Sequence, residues 1–124
     1  MLVVCSSICL AYDPDITEMA NIIDRSTDNT LVKAAIVDYY VENVIKYEFN
    51  WFPKGIDRTW KDKKGDCTDK SMLKQFMYYK MGINSRLVHG YDPKGKKHDW
   101  LQFRYKNDWL SLENDNTYVG ASHW

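Results

Sequence analysis

The order of elements in the second half of the chain constrains the fold more than any other feature. A Gly-Asp pair at 65 and 66 interrupts the chain, and apolar residues then recur at helical spacing from Cys67 to a closing Gly82. Three runs rich in aromatic and branched residues follow at 87–91, 100–105 and 109–113, joined by short turn-forming segments. Strands with such short connections pair antiparallel. The sequence therefore predicts an α+β domain whose antiparallel sheet packs on the helix that begins at Cys67.

The first half of the chain predicts helices followed by a loop. An Asp-Pro pair, typical of a cap and a first helical position, opens a predicted helix over 13–24. A wider apolar pattern at helical spacing covers 32–47 and predicts a second helix with several neighbours. The periodicity is lost over 48–65, where aromatic residues mix with proline, glycine and charges, and we predict a long ordered loop there.

Length and charge bound the class of protein. The chain has 124 residues, 44% of them apolar, which suits a single compact domain over 13–124 after an apolar segment at 1–12. A formal net charge of zero argues against a nucleic-acid partner, because such binding depends on an excess of basic groups. Residues 54–106 are nonetheless basic, with fourteen basic and six acidic side chains. Acidic helices lying over this half, or an acidic ligand, would explain the imbalance.

Three cysteines, Cys5, Cys9 and Cys67, are too few for a disulfide framework. The first two lie in the apolar segment, which has the length of an export-signal core but no basic residue before it. It is either the remnant of such a signal or a buried first strand, so cytoplasmic and exported locations both stay open. About ten apolar residues are too few to span a bilayer, and no membrane span is predicted.

Cys67 is the candidate nucleophile. A helix N-terminus lowers the pKa of a thiol, since its unpaired amides and dipole favour the thiolate. The same amides can hold the negative oxygen that forms when a carbonyl is attacked. The plain alternative for Cys67 is a small buried hydrophobic side chain.

Two further residues complete a possible catalytic set. His98 opens the second predicted strand, where its side chain can project towards the helix start, and Glu113 ends the next strand. A carboxylate beside the imidazole would set its tautomer, which yields a nucleophile, a base and an orienting acid. The alternative is a solvated turn histidine and a surface glutamate. His89, inside the first strand, is expected to be a packed or hydrogen-bonded histidine and not a second base.

At these positions the sequence resembles the transglutaminase-like superfamily, a papain-related fold with a Cys-His-Asp triad. Residues 65–69 look like its glycine-x-cysteine helix start, and 81–91 look like its glycine-isoleucine-x-x-arginine-x-valine-x-glycine-tyrosine passage. Residues 98–100 are similar to its histidine-x-tryptophan strand start, and 109–113 to its tryptophan-x-x-x-aspartate strand. The resemblance covers about 28–119. It implies the roles of nucleophile, base and orienting acid for the three candidates.

The resemblance has one departure and one gap. Glu113 stands where the family usually has aspartate, so Asp115 is a possible substitute in the third role. The oxyanion side chain is unassigned, and Tyr47, Asn50 and Trp51 are candidates for it.

The resemblance implies cysteine-dependent acyl transfer on amide or isopeptide bonds of peptides through a thioester. We expect hydrolysis, with cell-wall peptides as one possible substrate because residues 65–69 look like those of wall-cutting members. The alternatives are a protein-glutamine crosslinking transglutaminase and a catalytically silent module that binds peptides or glycans. Trp51, Trp60 and Trp100 are candidate substrate contacts. No cofactor and no metal site are predicted, because the chain lacks short ligand pairs, and the expected state is a monomer with a peptide or protein substrate.

Overall fold

The computed structural model describes residues 14–112 and 119–123. The helices are α1 (Ile16–Ser26), α2 (Thr30–Val44), α3 (Ile56–Asp62) and α4 (Cys67–Lys80). The strands are β1 (Lys46–Tyr47), β2 (Lys64–Gly65), β3 (Ser85–Tyr91), β4 (Lys97–Tyr105), β5 (Asp108–Leu110) and β6 (Val119–His123). Strands β1 and β2 form a short parallel pair, and the other four form a sheet in the order β5-β4-β3-β6 with antiparallel neighbours.

Helix α4 lies at the centre of the domain. Its buried Leu73, Met77 and Tyr78 belong to one hydrophobic core together with side chains from the three other helices and the sheet. The apolar residues that contribute from these other elements include Ala20, Val37, Val41, Trp60, Leu87, Leu101 and Phe103. The predicted α+β architecture, with an antiparallel sheet against the cysteine-bearing helix, is confirmed.

A buried ion pair joins α2 to α4. The Lys74 ammonium lies 2.6 Å from an Asp38 carboxylate oxygen and 2.9 Å from a Glu42 carboxylate oxygen. Burial alone would lower the pKa of Lys74, but the hydrogen bond with Asp38 and the charge of Glu42 raise it on balance. The pair therefore holds a charged lysine in the interior and fixes how α2 packs on α4.

The bounds of the first two helices differ from the prediction. The predicted start of α1 at an Asp13 cap is wrong, because Asp15 is the cap and its carboxylate accepts a hydrogen bond from the Glu18 N–H at 2.7 Å. Helix α2 ends at Val44, and the predicted continuation to residue 47 is wrong. Lys46 instead donates its N–H to the Lys63 carbonyl at 2.9 Å, which pairs β1 with β2.

The predicted loop over 48–65 is only partly correct. Residues 56–62 form α3, and residues 64 and 65 form β2, so the segment without regular structure covers 48–55. Helix α3 escaped prediction because it has only seven residues and few apolar ones, of which Trp60 is buried in the core. Tertiary burial thus stabilises a helix that is too short to form by itself.

The strand predictions are confirmed in the middle of the sheet. Strand β3 begins at Ser85 and β4 at Lys97, slightly before the predicted starts. The turn between them is closed by the Gly95 N–H, which donates to the Asp92 carbonyl at 2.9 Å. Strand β5 ends at Leu110, and the last residue of the predicted third strand lies outside the described residues. The apolar segment at 1–12 also lies outside them.

Within residues 14–112 and 119–123, none of the helices has the length and hydrophobicity that a bilayer span needs.

Candidate active site

The start of α4 is built by a reciprocal cap. The Asp66 carboxylate accepts a hydrogen bond from the Asp69 N–H at 2.9 Å, and the Asp69 carboxylate accepts one from the Asp66 N–H at 3.3 Å. Cys67 is the first residue of this 14-residue helix, as predicted. Gly65 precedes it because a Cβ there would lie 2.7 Å from the Asp69 Cβ, so no larger residue fits without a shift.

Asp69 also ties the segment 48–55 to the helix start. Its side chain is fully buried, and its carboxylate accepts hydrogen bonds from the Lys54 N–H at 2.8 Å and the Asn50 amide at 3.2 Å. Burial and the neighbouring Asp69 charge raise the pKa of Asp66, although the backbone N–H of Asp69 acts in the opposite direction. The amide of Asn50 is thus engaged with Asp69, whereas Tyr47 borders the cleft described next.

Cys67 lies where two cavities meet. It is a free, half-buried thiol that lines a cavity of about 470 Å³ together with Thr68, His89, Tyr91 and the start of β4. It also lines a second cavity of about 290 Å³, bordered by Tyr47 and several lysines. Three residues of β4 border both cavities along with Cys67, namely Lys97, His98 and Asp99. The structure therefore brings Cys67 and His98 into one cleft.

His98 is half-buried at the start of β4. Its ring stacks on Trp100, with ring centroids 5.8 Å apart and an interplanar angle of 16°. Glu113, its predicted partner, and the alternative Asp115 lie outside the described residues. The β4–β5 ladder ends at the pair Phe103 and Leu110, five residues along β4 from His98. The roles of Glu113 and Asp115 therefore stay predictions.

A second histidine and a buried carboxylate occupy the same cleft. His89 on β3 lies directly across the ladder from Asp99 on β4, and its Nδ1 is hydrogen-bonded to Asp99 Oδ1. The other carboxylate oxygen of Asp99 accepts a hydrogen bond from the hydroxyl of Thr68, the residue after Cys67. Sequence reasoning treated Asp99 only as the variable position of a motif. The signal that was available is the hairpin register, since a turn at 92–96 places residue 89 opposite residue 99.

The three candidate substrate tryptophans have different surroundings. Trp51 is 86% exposed, and with Tyr47, Phe49 and Phe52 it forms an exposed group that we call the aromatic loop. Trp60 is 7% exposed and donates its ring N–H to the Pro14 carbonyl at 3.2 Å. Trp100 is 1% exposed beneath His98. The aromatic loop is thus the tryptophan-bearing surface that is open to a substrate.

Among the residues that the structure describes, no three histidine, cysteine, aspartate or glutamate side chains are grouped so as to hold a metal ion.

The fold and the position of Cys67 define a domain of papain-like architecture with a thiol at a helix start. The sequence profile of the transglutaminase-like superfamily matches residues 17–114, and the chain belongs to this superfamily. No curated protein matches the sequence at a significant level.

Solved structures of bacterial proteins share the fold. A candidate cysteine protease from Cytophaga hutchinsonii superimposes with a TM-score of 0.73 at 15% identity, over 88% of this chain and 45% of its own. The periplasmic domain of TgpA from Pseudomonas aeruginosa gives 0.64 at 18% identity, over 81% and 41%. Calcium-bound LapG from Legionella pneumophila gives 0.60 at 15% identity, over 91% and 77%. The chain thus spans less than half the length of the first two.

Proposed function

We propose that this domain catalyses cysteine-dependent acyl transfer on amide or isopeptide bonds of peptides, through a thioester on Cys67. The observation that carries the proposal is the position of Cys67 as the first residue of α4, in a cleft that it shares with His98. The unpaired amides at the start of a helix can hold the negative oxygen that forms when a sulfur attacks a carbonyl carbon.

The proposed reaction has two stages. His98 accepts the thiol proton as the Cys67 sulfur attacks the carbonyl carbon, and it returns that proton to the leaving amine as the C–N bond breaks. A water molecule then attacks the thioester, its proton passes to the imidazole, and the C–S bond breaks to release a carboxylic acid and restore the thiol. Glu113 is proposed to orient His98 and to balance the positive charge that develops on the ring.

We propose that the aromatic loop contacts the substrate. Tyr47 borders the second cavity beside Cys67, and Phe49 and Trp51 contact each other edge to face with ring centroids 5.3 Å apart. The loop is attached to the start of α4 through the hydrogen bonds that Asp69 accepts. Exposed aromatic rings on a supported loop offer large apolar faces to a peptide or a sugar, so Trp51 is the proposed contact outside the cleft.

Hydrolysis is the favoured outcome, since the Cytophaga hutchinsonii protein with the same fold is described as a candidate cysteine protease. An amine that replaced water as acceptor would instead yield a crosslinking transglutaminase, and a silent module would form no thioester. These alternatives differ in what becomes of the acyl group on Cys67.

Mass spectrometry of the intact protein distinguishes the alternatives. We expect incubation with p-nitrophenyl acetate to add one acetyl group at Cys67 and to release p-nitrophenolate in a burst, and we expect Cys67→Ala to keep the fold and lose both signals. Cell-wall peptides and casein peptides then serve as amide substrates, with and without cadaverine as an amine acceptor. Incorporation of cadaverine would change the assignment to a transglutaminase, and full activity in folded Cys67→Ala would refute the nucleophile.

A further inference from the structure

We propose that His89, held by Asp99, is a second catalytic imidazole of this cleft and handles the proton of the leaving amine and of the attacking water. The proposal rests on the proposed role of Cys67 as nucleophile, and it divides between two histidines the proton transfers that a single imidazole would otherwise perform.

The contacts of Asp99 carry the argument. Asp99 is a buried carboxylate with both oxygens engaged, one by the Nδ1 of His89 and the other by the hydroxyl of Thr68. A carboxylate on Nδ1 holds that nitrogen as the N–H donor and leaves Nε2 as the atom that gains and loses a proton. Because Thr68 follows Cys67 in the first turn of α4, the pair is joined directly to the helix start that carries the thiol.

Strand geometry places the two histidines differently. Directly paired residues share a face of a sheet, so His89 lies on the same face as Asp99, the face that contacts Thr68 of α4. His98 lies one residue before Asp99 and pairs with Gly90, its ring stacks on Trp100, and it borders both cavities together with Cys67. The contacts thus give His89 the carboxylate partner that a proton-transfer imidazole requires.

The two histidines differ in the cavities that they border. His98 borders both cavities, whereas His89 borders only the larger one. A substrate that crosses Cys67 would therefore have the part in the larger cavity beside His89. The titratable groups that line this cavity with His89 are Cys67, Tyr91, Lys97, His98 and Asp99.

The proton count closes over one turnover. His98 takes the thiol proton on attack, and protonated His89 gives its Nε2 proton to the leaving nitrogen as the C–N bond breaks. In the second stage neutral His89 takes a proton from the water that attacks the thioester. The sulfur leaves as a thiolate, recovers its proton from His98, and both rings return to their starting states.

This division predicts different effects on the two stages of p-nitrophenyl acetate turnover. The p-nitrophenolate leaving group needs no proton, so His89 releases its Nε2 proton to solvent before the water attack, and His89→Asn should leave the burst rate within about threefold of wild type. The steady-state rate reports the water attack and should fall by about 10²-fold or more, the usual size of an acid–base contribution. Asp99→Asn should act in the same direction, whereas the matched control His98→Asn should slow the burst itself.

Two results would overturn the proposal. One is a folded His89→Asn protein whose steady-state rate stays within about threefold of wild type, and the other is an equal loss in burst and steady-state rates, which a merely structural role would produce. If the wild-type protein shows the burst at Cys67 and Cys67→Ala does not, the proposed function stands in either case and only the role of His89 fails.

A measurement on the wild-type protein keeps the proposal testable if the variants do not fold. The histidine ring signals can be followed by NMR against pH, with His89 assigned through contacts to its strand neighbours. The midpoint of the His89 titration should match the midpoint of the pH profile for thioester hydrolysis. A hydrolysis profile that follows His98 instead would overturn the proposal.

Discussion

Replacing Asp69 by asparagine tests whether a single buried carboxylate holds the candidate site together. The Asp69 carboxylate accepts four hydrogen bonds, two on Oδ1 from the backbone N–H groups of Lys54 and Gly55, and two on Oδ2 from the Asn50 amide and the Asp66 N–H. An asparagine has one acceptor oxygen, so in either orientation its NH₂ group faces two of these donors.

The magnitude follows from those four bonds. A hydrogen bond to a charged group contributes about 1.5–3 kcal/mol, and two are lost in either orientation. The bonds from Gly55 and Asp66 are long, at 3.4 and 3.3 Å, and the Asn50 amide can rotate to present its oxygen, so the loss lies towards the lower end. We expect Asp69→Asn to lower the free energy of unfolding by about 2–4 kcal/mol.

Urea denaturation followed by circular dichroism measures this loss. The matched control is Asp57→Asn in the first turn of α3, an exposed position where the change should stay within about 0.5 kcal/mol. If Asp69→Asn unfolds with the same free energy as wild type, the four bonds do not stabilise the helix start, and the proposed attachment of the aromatic loop is wrong.

Three further predictions concern the cleft and the core. Thr68→Val removes the hydroxyl that donates to Asp99 and should slow thioester hydrolysis about tenfold without slowing the burst, whereas Thr68→Ser should stay within about threefold; equal rates for both variants would contradict a positioning role. Glu113→Gln should lower kcat far more than it changes KM, and Asp115→Asn should do little; steady-state kinetics with the reverse result would move the third role to Asp115. Burial raises the pKa of Glu42, but the charge and hydrogen bond of Lys74 lower it on balance. The ionised Glu42 carboxylate therefore adds its full contribution to the stability of the fold above the ordinary glutamate pKa, and this contribution is lost as the pH falls through the lowered pKa of Glu42. Urea midpoints measured from about pH 6 to about pH 3 should therefore fall more steeply in wild type than in Glu42→Gln.

The start of α4 was predictable because its determinants are local. Gly65, Asp66 and Asp69 lie within five residues of one another, and a cap followed by helical spacing is visible in the sequence alone. The middle strands were predictable for the same reason, since alternation and turn residues act over short stretches. The ends of these elements were less predictable, as the early end of α2 at Val44 shows, because a backbone hydrogen bond to Lys63 decides it.

Other features depend on contacts between distant parts of the chain. Trp60 looks like an exposed loop residue in the sequence, yet it is buried because α3 packs against α4. Trp51 is 86% exposed in a loop whose Lys54 backbone N–H donates to Asp69, fifteen residues after Lys54. Neither result follows from local pattern, since both depend on which surfaces the core leaves free.

The sequence by itself determined the superfamily, the helix that presents Cys67 and the strand that carries His98. Only the tertiary structure decided that His89 and Asp99 meet and that Thr68 joins them. Helix capping and strand alternation depend on residues a few positions apart, whereas a hydrogen bond from α4 to the β3–β4 hairpin depends on sheet register and on how the core seats the helix. Sheet register and helix packing are determined together by burial of the whole apolar core, and no short stretch of sequence determines either of them.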